Sequence, residues 1–399
     1  MSTFIPARRG PGALVRALTV AVAAVVVLAG CGGTASDSGT PKAEAGAASA
    51  AFPVTIKHGH GSTTIKQKPK RVVAVSWMSL DVVAALGTVP VGVDKQWGGD
   101  KQGYTPWFRS TVEKLGGPLP ETLNYGDAGE IDFEQILSLE PDLIVGLYSG
   151  ISDVDYKRLS QIAPTLPYLK KPWDGGTWQE MTRTIGTALG ETKKAESLVT
   201  DVQGQLAAVT KDHPEFKGTT FAYGLALSPG ATEVGLYIDY DARVRLLTEM
   251  GFENTPSMEK IASTTQGTNW YGGISLEKLD TIEADIFVAW ANGAEEVDYT
   301  LKDPLFTRWK PIKDRKYAFV EDETMGMATS GPSVLSIPWA IDRYVPMLAD
   351  AVAGRGKAGA GFGGCDVHWT LMYPDAYEVG LPNQGVMILY EVLNEREGV

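Results

Sequence analysis

Three aromatic side chains stand at the carboxyl ends of runs that read as buried strands: Trp77 after Arg71–Ser76, Tyr148 after Leu143–Leu147, and Trp290 after Ile286–Ala289. The loop after a fourth run, Tyr317–Val320, brings Met325 and Met327 to the same kind of position. In open parallel sheets the crevice outside the carboxyl ends of the strands is where small molecules bind, so these positions are candidates for a binding surface. Trp97, Tyr104, Trp173, Tyr237, Tyr240 and Trp270 lie in Gly-rich or polar connections, where a core has no need of them. Any one ring could equally be core packing. Equivalent placement at three strand ends favours a shared surface. Arg243 opens a helix just after Tyr237–Asp241. Its guanidinium could bond oxygen atoms and stack on a ring, or it could simply pair with Asp239 or Asp241.

Other chemistry is poorly provided for. The chain has four histidines, His58, His60, His213 and His368. His58 and His60 could offer two zinc ligands, but a hairpin accounts for their spacing, and no further Cys or His completes a site. No resident metal or cofactor is expected. No Gly-rich phosphate loop, Gly-x-Ser-x-Gly elbow or zinc-binding helix is present, so an enzyme remains only a remote alternative.

The elements that would position these residues alternate between strand and helix. Val54–Ile56 and Thr63–Ile65 flank His58–Gly61 as a hairpin. Arg71–Val75, Leu80–Leu86 and Val89–Val93 then read as strand, helix and strand, the start of an α/β fold with mostly parallel sheets. Ile131 to Val145 is matched without a gap, 143 residues later, by Ile274 to Val288. Each copy reads as helix, tight turn and buried strand, with Asp132 or Ser275 placed to cap the helix. Two similar lobes are the simplest account. Between the copies, Trp178 to Asp212 is helical and broken near Gly190, with Leu198, Val202, Leu206 and Val209 at helical spacing. It could connect the lobes stiffly or lie on the surface of one of them.

The N-terminus reads as a targeting segment, either a lipoprotein signal or an ordinary secretory signal with a chance Cys. Arg8, Arg9 and Arg16 precede a short apolar run, Ala17 to Leu28, too short to span a bilayer. The run ends in Leu28-Ala29-Gly30-Cys31, which resembles the lipobox of bacterial lipoprotein signal peptides. That likeness implies cleavage and acylation of Cys31, leaving residues 32–51 as a flexible tether poor in apolar residues. Removing residues 1–30, with three arginines and no acid, takes the net charge from −12 to −15. So acidic a surface argues against nucleic acid or anionic lipid as an electrostatic partner. With Cys31 acylated, Cys365 has no partner and no disulfide framework exists.

Taken in order, the lipobox, Arg71–Ala74, Glu134 to Val145, Leu159 to Thr165 and Gly186 to Gly190 resemble the siderophore-binding lipoproteins of ABC importers, actinobacterial branch. The likeness covers about Phe52 to Ala353. It implies two Rossmann-like lobes (52–176 and 213–353) joined by one long helix within 177–212, and a shallow cleft between the lobes. The implied protein is a monomer held to the outer face of the cell membrane by its lipid alone. It is not an enzyme, and it hands a ferric siderophore to permease subunits. A siderophore supplies its own iron ligands, so the protein needs only a concave aromatic surface and a few charged groups. Trp77, Trp97, Tyr104, Tyr148, Trp173, Tyr240, Arg243, Trp270, Trp290 and Met325 are the residues expected to form it. Haem and cobalamin binders share this fold, and a tyrosine can ligate haem iron, so both ligands stay open. Glu134 and Glu277, matched across the repeat, look like the paired glutamates by which such proteins dock on basic permease pockets. Each also suits the first turn of a helix without any docking role.

After Ala353 the Gly-rich stretch Gly354–Gly361 reads as a linker. Leu371–Leu381 and Val386–Arg396 resemble the opening of a radical SAM family with a cobalamin-binding-like N-terminal region, without its cluster-binding cysteines. The segment 354–399 is therefore expected to be an unrelated tail.

Overall fold

Short apolar runs buried on both faces form the centre of each sheet, as parallel strands covered by helices require. The computed structural model describes residues 52–126, 129–264 and 271–357 of the 399-residue chain. The expected signal, the tether, Cys31, Trp270 and the tail from residue 358 lie outside the described residues. In the first lobe five parallel strands run in the order Glu121–Leu123, Gly92–Asp94, Val72–Ala74, Leu143–Val145, Thr165–Leu166. Val72–Ala74 and Leu143–Val145 are buried at every position. The predicted hairpin forms ahead of them, Val54–His58 paired antiparallel with Gly61–Ile65. Its histidines are engaged by protein groups. His58 Nε2 lies 2.9 Å from Thr63 Oγ1, while the two ring nitrogens of His60 face the Ile151 carbonyl and the Asp153 carboxylate.

The large sheet of the second lobe is mixed where the five-stranded sheet of the first is wholly parallel. Thr220–Leu225, Ile286–Trp290 and Tyr317–Val320 are parallel neighbours, but Glu233–Tyr237 and Tyr271–Ser275 join antiparallel at one side. The sequence repeat is nevertheless a structural one. Asp142 of the first copy accepts hydrogen bonds from the backbone N–H groups of Lys70 and Arg71, both 2.8 Å, at the start of the central strand. Its partner Asp285 accepts from the N–H of Thr220 at 2.9 Å, again where the neighbouring strand begins. The helical parts diverge. Asp132 caps the α-helix Phe133–Ser138 by accepting from Gln135 N at 3.0 Å. Ser275 instead ends a strand opposite Glu233, makes no side-chain cap, and leads into the 3-10 helix Leu276–Thr281.

The connector is a pair of helices. Thr177 and Glu180 form a capping box at the start of Trp178–Ala188, and Gly190 at φ +71° turns the chain into Thr192–Asp212. The second helix, 21 residues and about 32 Å at 1.5 Å per residue, is the long one. It buries Ala195, Val199, Val202, Leu206 and Val209 along one stripe. Gly354–Gly356 is not free linker: Gly356 N donates to the Arg315 carbonyl at 2.8 Å, and Arg315 Nη2 returns a bond to the Gly356 carbonyl at 3.1 Å. The start of the expected linker is therefore tied to the second lobe through Gly356. Among the described residues no helix is long and apolar enough to cross a membrane.

The lobes are joined below the sheet ends by buried polar contacts. Asp81, 2% exposed, accepts from Trp107 Nε1 at 2.8 Å in its own lobe and from Ser333 Oγ at 2.6 Å in the other. Glu249 accepts from Trp178 Nε1 at 3.1 Å and Gln179 Nε2 at 2.9 Å. Burial pushes the Asp81 carboxyl up to about 7, against the pull of its two hydrogen bonds. The folded chain therefore holds a proton that the unfolded chain, with a carboxyl near pKa ~3.9, releases. The stability this proton confers is present below about pH 4 and is lost as pH rises through about 7. Asp81→Asn keeps an acceptor but removes the titration. Its melting temperature should rise relative to the parent between pH 5 and 8, by at most about 1.4 kcal/mol of stability per pH unit. Parallel melting profiles across that range would refute the assignment.

Candidate functional site

The strand ends do converge. Trp77 and Tyr148 follow adjacent strands of the first sheet, and with Trp173 they line a cavity of about 360 Å³, within the range of small-molecule sites. Ring centroids lie 6.2 Å apart for Trp77 and Tyr148, 6.3 Å for Trp77 and Trp173, and 6.1 Å for Tyr148 and Trp173. Trp97 extends the group, 6.2 Å from Trp77, and meets Trp290 of the second lobe edge-on at 5.0 Å. All four tryptophans are half-buried, so part of each ring faces solvent.

Local backbone accounts for two of these placements. Trp173 sits at φ +62°, a conformation that costs a non-glycine residue energy and persists only where its surroundings hold it. Its N–H donates to the Ser149 carbonyl at 2.9 Å, inside a turn closed by Lys171 and Asp174. Trp290 lies on the helix Glu323–Ser330 at Gly326, where an added Cβ would come within 2.1 Å of the indole. Thr324 Oγ1 in that helix donates to the Gly98 carbonyl at 2.8 Å, bringing the second lobe up to the loop that carries Trp97.

Arg243 lies in the second lobe and is not an open cation. Its Nη1 reaches both carboxylate oxygens of Asp241, at 3.2 and 3.0 Å, and its Nε donates to Ser330 Oγ at 3.0 Å. Its guanidinium carbon stands 4.3 Å from the centre of the Tyr237 ring. Burial works against the guanidinium's charge, but the adjacent Asp241 carboxylate more than offsets it and keeps Arg243 charged. Burial raises the Tyr148 hydroxyl above its usual range, and Asp241 raises it further while Arg243 pulls it down. Tyr148 is thus within electrostatic reach of the pair. Burial likewise pushes Tyr237 up to about 12, with Arg243 pulling against it.

Two expectations need correction. Tyr104 is buried in the first lobe, its ring stacked on Phe108 and its hydroxyl bonded to the Pro120 carbonyl at 2.5 Å. Met325 and Met327 are wholly buried on their helix, whose N-terminal N–H at Met325 is capped by Asp322 at 2.7 Å. Neither Tyr104 nor these methionines presents a surface to a cleft. Tyr240 is half-buried, with Lys171 Nζ 3.9 Å above its ring, at the edge of the aromatic group. Trp270 is outside the described residues.

The cavity also has polar residues that the sequence reading passed over. Asp94 ends the strand Gly92–Asp94 and Lys95 follows it, Tyr125 follows Glu121–Leu123, and all three line the cavity. Tyr125 donates its hydroxyl hydrogen to Asp94. Burial raises the Asp94 carboxyl to about 7, while the Tyr125 bond pulls the other way. The strand-end rule, applied to every strand and not only to those followed by aromatics, finds Asp94 and Tyr125. Among the described residues no three His, Cys, Asp or Glu side chains converge as a metal site. Glu134 and Glu277 are both exposed at matched positions of the repeat, each one residue into its helical turn.

Known proteins share this arrangement of lobes. The Fe(3+)-citrate-binding protein YfmC of Bacillus subtilis is 25% identical over 302 residues, 75% of this chain and 87% of its own. The structure of PiaA from Streptococcus pneumoniae in complex with ferrichrome superposes with a TM-score of 0.68 at 28% identity, covering 75% of this chain and 99% of that one. A periplasmic solute-binding protein of Mycobacterium smegmatis gives 0.63 at 27% identity, covering 75% and 99%. The radical SAM likeness of the tail gained no support from the comparisons. The periplasmic binding protein family matches residues 72–320, which takes in both sheets and the helices between them, and the chain belongs to that family.

Proposed function

We propose that this chain captures a ferric siderophore outside the cytoplasm, in the cleft between its lobes, and delivers it to an ABC importer. The observation that carries the reading is the group formed by Trp77, Tyr148 and Trp173 around the cavity, continued through Trp97 to Trp290 of the facing lobe. Such a wall suits a bulky, rounded chelate whose iron is already fully ligated, because it offers area and stacking, and among the described residues no cluster of His, Cys, Asp or Glu converges to compete for the metal. Relatives named for ferric citrate and ferrichrome, in Bacillus subtilis and Streptococcus pneumoniae, support the class. Acylated Cys31 would tether the protein to the outer face of the membrane through residues 32–51, and exposed Glu134 and Glu277 would meet two permease subunits. The binding residues are Trp77, Trp97, Tyr148, Trp173, Tyr240 and Trp290, with Trp270 a further candidate and the Arg243–Asp241 pair beside Tyr148. Titrating the intrinsic fluorescence of the purified protein with a ferric siderophore tests the proposal. Saturable quenching is expected, and its absence with every ferric chelate would refute it.

A further inference from the structure

Among the described residues the charged side chains in the cavity wall are Asp94, Lys95 and Asp155, one cation against two acids. At neutral pH the raised Asp94 is shared between its two forms, which leaves the wall within one charge of zero. The guanidinium of Arg243, which lies over the Tyr237 ring, is held by both oxygens of Asp241 in a buried ion pair. At the edge, Arg245 Nη1 lies 3.9 Å from Asp174 and donates to the Gly176 carbonyl at 3.0 Å, and Lys171 stands over the Tyr240 ring. The chain as a whole is at −12. Sites that take up multiply charged anions present uncompensated guanidinium or ammonium groups, because the anion's lost hydration must be replaced. Here Arg243 and Arg245 face Asp241 and Asp174, and Lys95 shares the cavity wall with Asp94 and Asp155.

Resting on the siderophore reading above, we propose that the cleft is built for a ferric chelate of no net charge, a tris-hydroxamate, and disfavours ferric catecholates and ferric citrate. Three singly charged hydroxamates cancel the ferric charge, whereas three doubly charged catecholates leave a trianion. An uncharged complex keeps carbonyl and hydroxamate oxygens that accept hydrogen bonds, and presents the methylene groups of its linking chains to the rings. It brings no net charge that the matched groups of the cleft would have to balance.

Calorimetric titration of the purified chain with ferrichrome, a ferric tris-catecholate and ferric citrate tests this. Ferrichrome should bind at least about 100-fold more tightly than either anionic complex, with an affinity changing less than about 2-fold between roughly 0.02 and 0.5 M salt. Asp241→Asn keeps a helix-capping side chain while uncovering the Arg243 charge. It should narrow the preference over the tris-catecholate by about 10-fold, as expected when one ion pair in a cleft is opened. Circular dichroism establishes whether the variant folds. If it does not, the panel and salt dependence of the unsubstituted protein decide alone. Equal or tighter binding of an anionic complex, or an affinity that collapses with salt, would overturn the charge assignment and leave the siderophore reading standing. Binding of none of the three would overturn this proposal, whereas the siderophore reading falls only if no ferric chelate quenches the fluorescence.

Discussion

Trp77→Ala should weaken binding of a ferric siderophore by about 10- to 100-fold, or about 1.4–2.8 kcal/mol. Trp77 is the ring the others surround, within 6.3 Å of Trp97, Tyr148 and Trp173, and it stands at the end of the central strand of its sheet. Alanine removes both the area offered to the ligand and the support for three neighbours. Trp77→Phe keeps an aromatic face and should lose much less, within about 5-fold of the parent. Because the indole is half-buried, some loss of stability accompanies the alanine change, and the melting temperature must be measured beside affinity. An unchanged affinity in a folded Trp77→Ala protein would place the ligand elsewhere.

The second large effect is on transport with binding intact. Glu134 and Glu277 occupy the same place in the two copies of the repeat and are both exposed. Paired anionic groups suit a partner whose two subunits each offer a basic pocket, and such contacts govern encounter and orientation more than raw affinity. Reversing both to lysine should lower uptake in cells by about 10-fold or more, each single reversal being intermediate, with ligand affinity within about 2-fold of the parent. Either glutamate also lies in the first turn of a helix, where the macrodipole favours it by about 0.3–1 kcal/mol, so a small loss of stability is expected. Normal uptake by a stably folded double variant would leave both residues as helix-start acids.

How much of this was legible beforehand varies by kind of signal. The repeat was plain because its pattern is local, and its two aspartates do the same work at the start of the neighbouring strand. Trp77, Tyr148 and Trp290 were legible because a strand's carboxyl end is a position that sequence alone defines. The side a helix buries is harder to read over a short stretch, which is why Met325 and Met327 were placed at a cleft and proved to be core. Tyr104 misled for a related reason: a Gly-rich approach suggested a loop, but its ring is held by Phe108 four residues on. Arg243 was found, with Asp241 among its possible partners, but whether they pair depends on tertiary burial. Nothing local announced the Asp81–Ser333 contact, whose partners are 252 residues apart.

The central claim is that the cleft recognises an iron chelate, and one measurement bears on it most directly: the location of iron in crystals grown with a ferric tris-hydroxamate. An anomalous map at the iron edge should show one strong peak between the lobes, beside Trp77, Tyr148 and Trp290, with no protein atom among the ligands of the metal. A peak bound by surface carboxylates, or one held by protein oxygen or nitrogen atoms within the cleft, would contradict the account.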